Sequence, residues 1–334
     1  MIELDGSFLE GGGQIIRTAL GLALYTGKPF HIIKIRAGRP NPGLQPQHLA
    51  AVLACQEVCK GIVEGAELGS QELTFYPKPI AKGSYSFEIG TAGSCTLLLQ
   101  ALLPCIYKAG MRLKVTGGTD VPYSPSADYF INVLLPQIGN IEARLMRRGY
   151  YPKGAGRIEL KMKQQAIEPL VLSSQGKLLS IKGISHASKD LEKAEVADRQ
   201  ARAAKLKLRE LGCPIEILSE YCDSSSTGSG ITLWAQCSDD ASQHRIILGA
   251  DSLGMKGKSS ERVGQEAADK LARSVQSGAA ADSHLADQLL PFLAICGGQI
   301  SAEEISPHCT TNMRVIEQFL PGKFLVKENL ISFE

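Results

Sequence analysis

Apolar and polar positions along this chain alternate in two rhythms, one of helical and one of strand spacing, and their order repeats. In GQIIRTALGLALYTG (13–27) the apolar residues recur at helical spacing, and KPFHIIKI (28–35) follows as a strand. RAGRPNPGLQPQ (36–47) is a loop by its proline and glycine, and HLAAVLACQEVCKG (48–61) a second helix closed by glycine. IVEGAEL and ELTFYP predict a strand pair. The order returns with the strand SYSFEI, the helix GSCTLLLQALLPCIYKAG (93–110) and the strand MRLKVTGG. The loop TDVPYSPSAD (119–128), the helix YFINVLLPQIG and two strands ending at RIELKM complete that copy. A third copy runs through the helix LADQLLPFLAICGG (285–298), the strand QISAEEI and the loop SPHCTTN (306–312). The helix MRVIEQFLP and the strands KFLVKE and LISFE close it.

Three copies of helix–strand–loop–helix–strand–strand predict an α/β chain of α+β type. Each unit would lay two helices on one face of a four-stranded sheet. Alternation alone is common in α/β proteins; here all three Pro/Ser-rich loops stand before the second helix. Between copies two and three the pattern changes. LLSIKGISHA predicts a strand, and LEKAEVADRQARAAKLKLREL (191–211) a long charged amphipathic helix. IEILSEYCD and GITLWAQC are expected as a hairpin across SSSTGSG (224–230). HRIILGAD is a further strand and SSERVGQEAADKLARSVQSG (259–278) a helix. The expected division is a large body, residues 1–179 and 279–334, and an inserted smaller α/β domain, residues 180–278.

Lys and Arg number 36 against 34 Asp and Glu, a net charge of +2, so any nucleic-acid contact should be local rather than a broad basic footprint. The nine cysteines include no C-x-x-C pair, which argues against a zinc site or a disulfide framework. The start, MIELDGSFLEGG, has neither a basic stretch nor an apolar one, and no long apolar run follows. A cytoplasmic protein without a membrane partner is expected.

Candidate chemistry begins at EGGGQIIR (10–17), where three glycines run into the first helix. The spacing fits neither G-x-G-x-x-G nor the phosphate loop G-x-x-x-x-G-K-[ST]. A second candidate, GMKGKSSE (254–261), has Ser252 where a phosphate loop needs its first glycine. Gly11 to Gly13 could form a tight turn or let backbone approach a ligand closely. The basic run Arg144, Arg147, Arg148, Lys153 and Arg157 fits a solvated face or a track for RNA.

Several motifs, taken together and in order, resemble the RNA 3′-terminal phosphate cyclases. They are EGGGQIIR, RAGRPNPGLQPQHL (36–49), GSCTLLLQ (93–100), GGTD (117–120), RGYYPKGAGR (148–157), HLADQ (284–288) and PHCTTN (307–312). Two positions depart from the family pattern: Ala155 interrupts a run of glycines, and His284 stands where some relatives carry tyrosine. The resemblance implies the fold read above and an ATP-dependent reaction. A histidine takes AMP from ATP, passes it to an RNA 3′-phosphate, and the neighbouring 2′-hydroxyl closes a 2′,3′-cyclic phosphate.

Carried onto this chain, the resemblance makes His308 the nucleophile, in a loop at the start of the last helix. It makes Glu10 the ligand of Mg²⁺ or Mn²⁺, a hard oxygen donor suited to these ions. Arg17, Arg36, Arg39, Gln47 and His48 would hold the RNA phosphate, arginine offering a planar fork for bidentate binding. Gln100, His284, Leu285, Ala286, Asp287 and Gln288 would form the ATP pocket, with His284 stacked on adenine. Asp287 could equally cap a helix. Cyclase-like ribosome-assembly proteins that lack catalysis, and enolpyruvyl transferases built from related repeats, are the rival readings.

Overall fold

The structure is a computed structural model that describes every residue except Glu10, Asn140 and residues 239–244, and leaves out the side chain of Arg245. The first unit is β1 (Ile2–Asp5), α1 (Gln14–Thr26), β2 (Phe30–Ile33), α2 (Pro46–Cys59), β3 (Ile62–Glu64) and β4 (Leu73–Tyr76). The second is β5 (Gly83–Glu88), α3 (Cys95–Leu102), β6 (Met111–Gly117), a helix in three pieces, β7 (Ile141–Arg147) and β8 (Gly156–Met162). Those pieces are α4 (Ala127–Tyr129), a π-helical turn (Phe130–Leu134) and α5 (Leu135–Ile138). Then come β9 (Leu170–Leu172) and the inserted elements: β10 (Lys177–Ser188), α6 (Val196–Leu208), β11 (Ile215–Cys222), β12 (Ser229–Ser238), β13 (Arg245–Leu253) and α7 (Ser260–Ser277). The chain closes with α8 (Ser283–Cys296), β14 (Gly298–Ser301), α9 (Pro307–Phe319), β15 (Phe324–Lys327) and β16 (Leu330–Phe333).

Three sheets share one topology: β1-β2-β4-β3, β5-β6-β8-β7 and β9-β14-β16-β15. In each, the first two strands are parallel, because a helix carries the chain over between them, and the other pairings are antiparallel. The repeat is therefore physical, but its third copy is arranged differently from the expectation. Its first strand is β9, a three-residue element that precedes the insertion. LVL is too short to show a period, so nothing local marks it as a strand. The insertion falls inside the third unit, between its first strand and first helix.

The inserted sheet has the order β11-β10-β12-β13. The expected hairpin of IEILSEYCD with GITLWAQC does not form, because β10 lies between them, parallel to β11 and antiparallel to β12. Burial explains the placement. Ser229 to Cys237 is buried at every position but Gln236, as a central strand requires, whereas β11 alternates half-buried and exposed residues along its first half, as an edge strand does.

Helix α1 lies inside the molecule, with Ile15, Ile16, Ala19, Leu20, Leu22 and Ala23 fully buried. A helix apolar all round must be covered all round, and α2, α3 and α9 cover it. Gly21 permits the α3 contact: a β-carbon there would lie 2.9 Å from the Ala101 carbonyl oxygen. Pro104 follows α3, and the chain tightens into a 3₁₀ turn over Leu103–Tyr107.

Arg148 is not part of a solvated run. It is 3% exposed, and its guanidinium meets Asp128 Oδ2 at 2.7 Å, Asp120 Oδ2 at 3.2 Å and Glu220 Oε1 at 2.6 Å. Glu220 belongs to β11, so the cluster docks the insertion on the second unit. Asp282 adds a second tie. It caps α8 by accepting from the His284 and Leu285 amides at 3.0 Å, and also accepts from the Tyr129 hydroxyl at 2.7 Å and the Gly249 amide at 2.8 Å. Among the described residues no helix is long and apolar enough to cross a membrane.

Candidate active site

The starts of α1, α2, α8 and α9 carry most of the singled-out residues. Ser306 caps α9 by accepting from the Cys309 amide at 3.2 Å, and Pro307 takes the first helical position. His308 therefore lies in the first turn of a helix, not in a loop. The same device shifts α2, which begins at Pro46 and places Gln47 and His48 in its first turn. Each helix start contributes amides pointing outward and a partial positive charge, a setting for an anion.

Gln14, at the first turn of α1, joins these starts. Its Nε2 donates to Asp287 Oδ2 at 3.2 Å and to the His308 carbonyl at 3.3 Å. Its Oε1 therefore faces His308 Nδ1, with which it is hydrogen-bonded. An amide oxygen only accepts, so Nδ1 holds the proton and the imidazole lone pair lies on Nε2. Thr18 and Asn312 complete the link between α1, α8 and α9. The Thr18 hydroxyl donates to Asn312 Oδ1 at 2.6 Å, and Asn312 Nδ2 to the Asp287 carbonyl at 2.9 Å.

The glycine run lines the other wall. A β-carbon on Gly13 would lie 2.1 Å from His48 Nε2, and one on Gly12 would lie 3.4 Å from Arg39 Nη2. His48 is buried, and burial, helped by Arg17 and Arg36, lowers its pKa to about 3. It is neutral near pH 7. Its Nδ1 accepts from the Gln45 amide at 3.1 Å, so Nε2 carries the proton that faces the glycines. Arg17, one turn into α1, is pulled down by burial to about 10 and pushed back up by Asp287, so it remains charged at neutral pH. Arg36 donates to the carbonyl oxygens of Asn41 and, at 3.1 Å, Gly43, which braces its own loop. Gln47 Oε1 accepts from the Ser94 amide at 3.4 Å.

Gln100 reaches across from α3 and donates to Gln288 Oε1 at 2.5 Å. With Gln14, Arg17, Asp287 and Asn312 these two line a cavity of about 60 Å³. The Gln100–Gln288 hydrogen bond is part of this lining. His284 is exposed at the head of α8, and Gln288 Nε2 donates to its carbonyl at 2.7 Å. Leu285 and Ala286 are fully buried in the core and take no part in the cavity lining.

A family model described as RNA 3′-terminal phosphate cyclase matches residues 8–326. The chain belongs to this family. A protein of Pyrococcus furiosus named RNA 3′-terminal phosphate cyclase is 47% identical over 334 residues, covering 98% of this chain and 95% of that protein. Proteins of the same name from Saccharolobus solfataricus and Caldivirga maquilingensis are each 45% identical. They cover 97% and 96% of this chain, and 95% and 93% of their own. Two residues of the hydrogen-bonded cluster around His308 are not marked by the sequence alone. Gln14 and Asn312 lie inside the quoted motifs EGGGQIIR and PHCTTN, yet only the fold shows that they face each other's helices.

Glu10 lies outside the described residues. Among those described, Asp120, Asp128 and His186 bring ligand atoms within 4.8 Å of one another. The Arg148 guanidinium already supplies the cation there. GMKGKSSE is likewise structural: Lys258 pairs with Glu266 and donates to Ser252 Oγ at 3.0 Å.

Proposed function

We propose that the chain converts an RNA 3′-terminal phosphate to a 2′,3′-cyclic phosphate at the expense of ATP, with His308 as the nucleophile. The observation that carries this reading is the helix-start histidine whose tautomer Gln14 fixes. With Nδ1 protonated, Nε2 attacks the α-phosphorus of ATP; the N–P bond forms as the bond to pyrophosphate breaks. An oxygen of the RNA 3′-phosphate then takes the AMP, breaking that N–P bond. Finally the 2′-hydroxyl loses its proton, attacks the activated phosphate and expels AMP.

In this reading Gln100, His284, Asp287 and Gln288 hold the adenosine, while Leu285 and Ala286 contribute through backbone and core packing. Gly12 and Gly13 keep backbone bare beside the phosphates. Arg17 and Arg39 supply charge and neutral His48 a hydrogen bond, with Gln47 beside them; Arg36 acts by bracing the loop that carries Arg39. Phosphoryl transfer depends on such positioning and charge. Glu10 would hold Mg²⁺ or Mn²⁺, which neutralises phosphate charge. The chain would divide into a large body, residues 1–179 and 279–334, and an inserted one at 180–278.

Incubation with α-labelled ATP and Mg²⁺ followed by a denaturing gel tests the central step. Label should stay on the wild-type chain, be lost in mild acid as a phosphoramidate is, and be absent from His308→Asn. An unlabelled wild type would instead fit a non-catalytic, ribosome-assembly relative, and label surviving in His308→Asn would place the nucleophile elsewhere.

A further inference from the structure

A surface leads away from the candidate active site and has no role in the chemistry above. It starts at Gln47. A β-carbon on Gly93 would lie 2.9 Å from Gln47 Cβ, and one on Gly154, in the β7–β8 turn, would lie 2.8 Å from Ala92 Cα. The α2 start, the segment Thr91–Gly93 and this turn therefore pack as one ridge without room for side chains between them. The turn is held rigidly. The Gly154 amide donates to the Tyr150 carbonyl at 2.8 Å, and the Lys153 amide to Ser226 Oγ at 3.1 Å. On this fixed base the Tyr151 side chain stands out, 68% exposed, beside exposed Lys153. Neighbouring Ser225 Oγ accepts from Arg147 Nη2 at 3.1 Å, which brings the end of β7 to the same place.

From there the surface continues onto the open face of the second sheet. Cross-strand register places Thr116, Arg157 and Arg147 in the row nearest the turn, then Lys114, Glu159 and Arg144, then Arg112, Lys161 and Glu142. With β5 adding Glu88 beside Thr116, those three rows hold six basic residues against three acidic ones. The chain as a whole is nearly balanced, at 36 against 34. A cationic strip beside an exposed aromatic ring on a rigid turn suits a single nucleic-acid strand, with phosphates on the cations and a base stacked on the ring.

We propose that this ridge and sheet face bind the single-stranded RNA immediately upstream of the reacting 3′ end, with Tyr151 as a stacking platform and Lys153, Arg147, Arg157 and Arg144 as phosphate contacts. The proposal rests on the reading of the chain as acting on RNA 3′ ends. It excludes an acidic protein as the occupant, because that would leave the ring and the turn's position beside Gln47 without purpose.

The test uses the full chain and 5′-fluorescent oligoribonucleotides of two to twelve nucleotides ending in a 3′-phosphate. For the wild type, affinity should rise with length over the first several nucleotides and then level off. Tyr151→Ala with Lys153→Ala should lose roughly tenfold in affinity for the long oligomers and leave the dinucleotide unchanged. Arg147→Ala with Arg157→Ala should lower the slope of log affinity against log salt by about 1.4, the value for two phosphate contacts on a single strand. Both variants should melt as the wild type does and take label from ATP normally. Affinity independent of length, or a Tyr151/Lys153 variant that binds twelve nucleotides as the wild type does, overturns the track. A wild type that cyclises no 3′-phosphate oligomer overturns the proposed function instead, so the two failures are distinct.

Discussion

At the scale of single residues, the candidate site works through hydrogen bonds that fix which atom of a ring carries the proton. Gln14 is 7% exposed and shares its amide between Asp287 and His308. Gln14→Leu should slow label transfer from ATP by ten- to a hundredfold, the loss of about 1.5–3 kcal/mol expected for one oriented bond in a polar site. Its effect should fall on the rate of adenylylation rather than on ATP affinity, and an unchanged rate would remove Gln14 from the mechanism. Arg39→Ala should behave oppositely, leaving adenylylation intact and weakening use of the RNA end by a similar factor. Comparing the two half-reactions in each variant checks both statements. Gly13→Ala should disable the site by displacing His48, although the Gly13 backbone, at φ −67°, accepts alanine readily. Recovery of thermal stability, without recovery of activity, on adding His48→Ala to the same chain would show that the clash, and not helix capping, is responsible.

At the scale of elements, helix starts and tight turns decide where these side chains go. Ser306→Ala should cost about 1 kcal/mol by removing the α9 cap. It should also lower label transfer, since the cap sets the first turn that carries His308. The β7–β8 turn contains a flaw of its own. Ala155 adopts φ 58°, a left-handed conformation that glycine takes more easily. Ala155→Gly should raise stability by about 1 kcal/mol, or roughly 2 °C in Tm for a chain of this size. A thermal melt that moves downward would mean that the alanine methyl makes contacts worth more than the strain.

At the scale of the whole molecule, docking of the insertion depends on buried charge. Arg148→Met would leave Asp120 and Asp128 without their cation and should cost about 3–5 kcal/mol. The same interface makes stability fall in acid. His186, fully buried, is lowered to about 3 by desolvation, with Arg148 adding to the effect and Asp120 opposing it. As pH falls below about 6.5 the unfolded chain takes a proton that the folded chain refuses. Stability is therefore full above that pH and lost at about 1.4 kcal/mol per unit below it. Asp128 acts the other way. Burial raises it to about 6, so the folded chain gains a proton first and part of the loss is offset below pH 6. Urea midpoints between pH 7.5 and 5 should fall for the wild type and fall less steeply for His186→Gln. Parallel curves would exclude the histidine as a source.

The sequence by itself determined the three repeats, the helices and their order, the resemblance to a family, and the position of His308 at a helix start. These depend on local spacing, although the Ser306–Pro307 cap carries α9 back over residues that the spacing assigns to a loop. It could not determine what depends on strands meeting at a distance. β9 was invisible because three residues carry no period, and β11 and β12 were misjoined because loop length does not reveal that β10 lies between them. Arg148 read as a solvated charge because its partners lie on β11, in the β6–α4 loop and in α4. Nothing local marks Gln14, and only the packing of α1 against α8 and α9 aims its amide at His308. Local chemistry fixes which residues can act; the enclosure of α1 by three helices decides which of them meet.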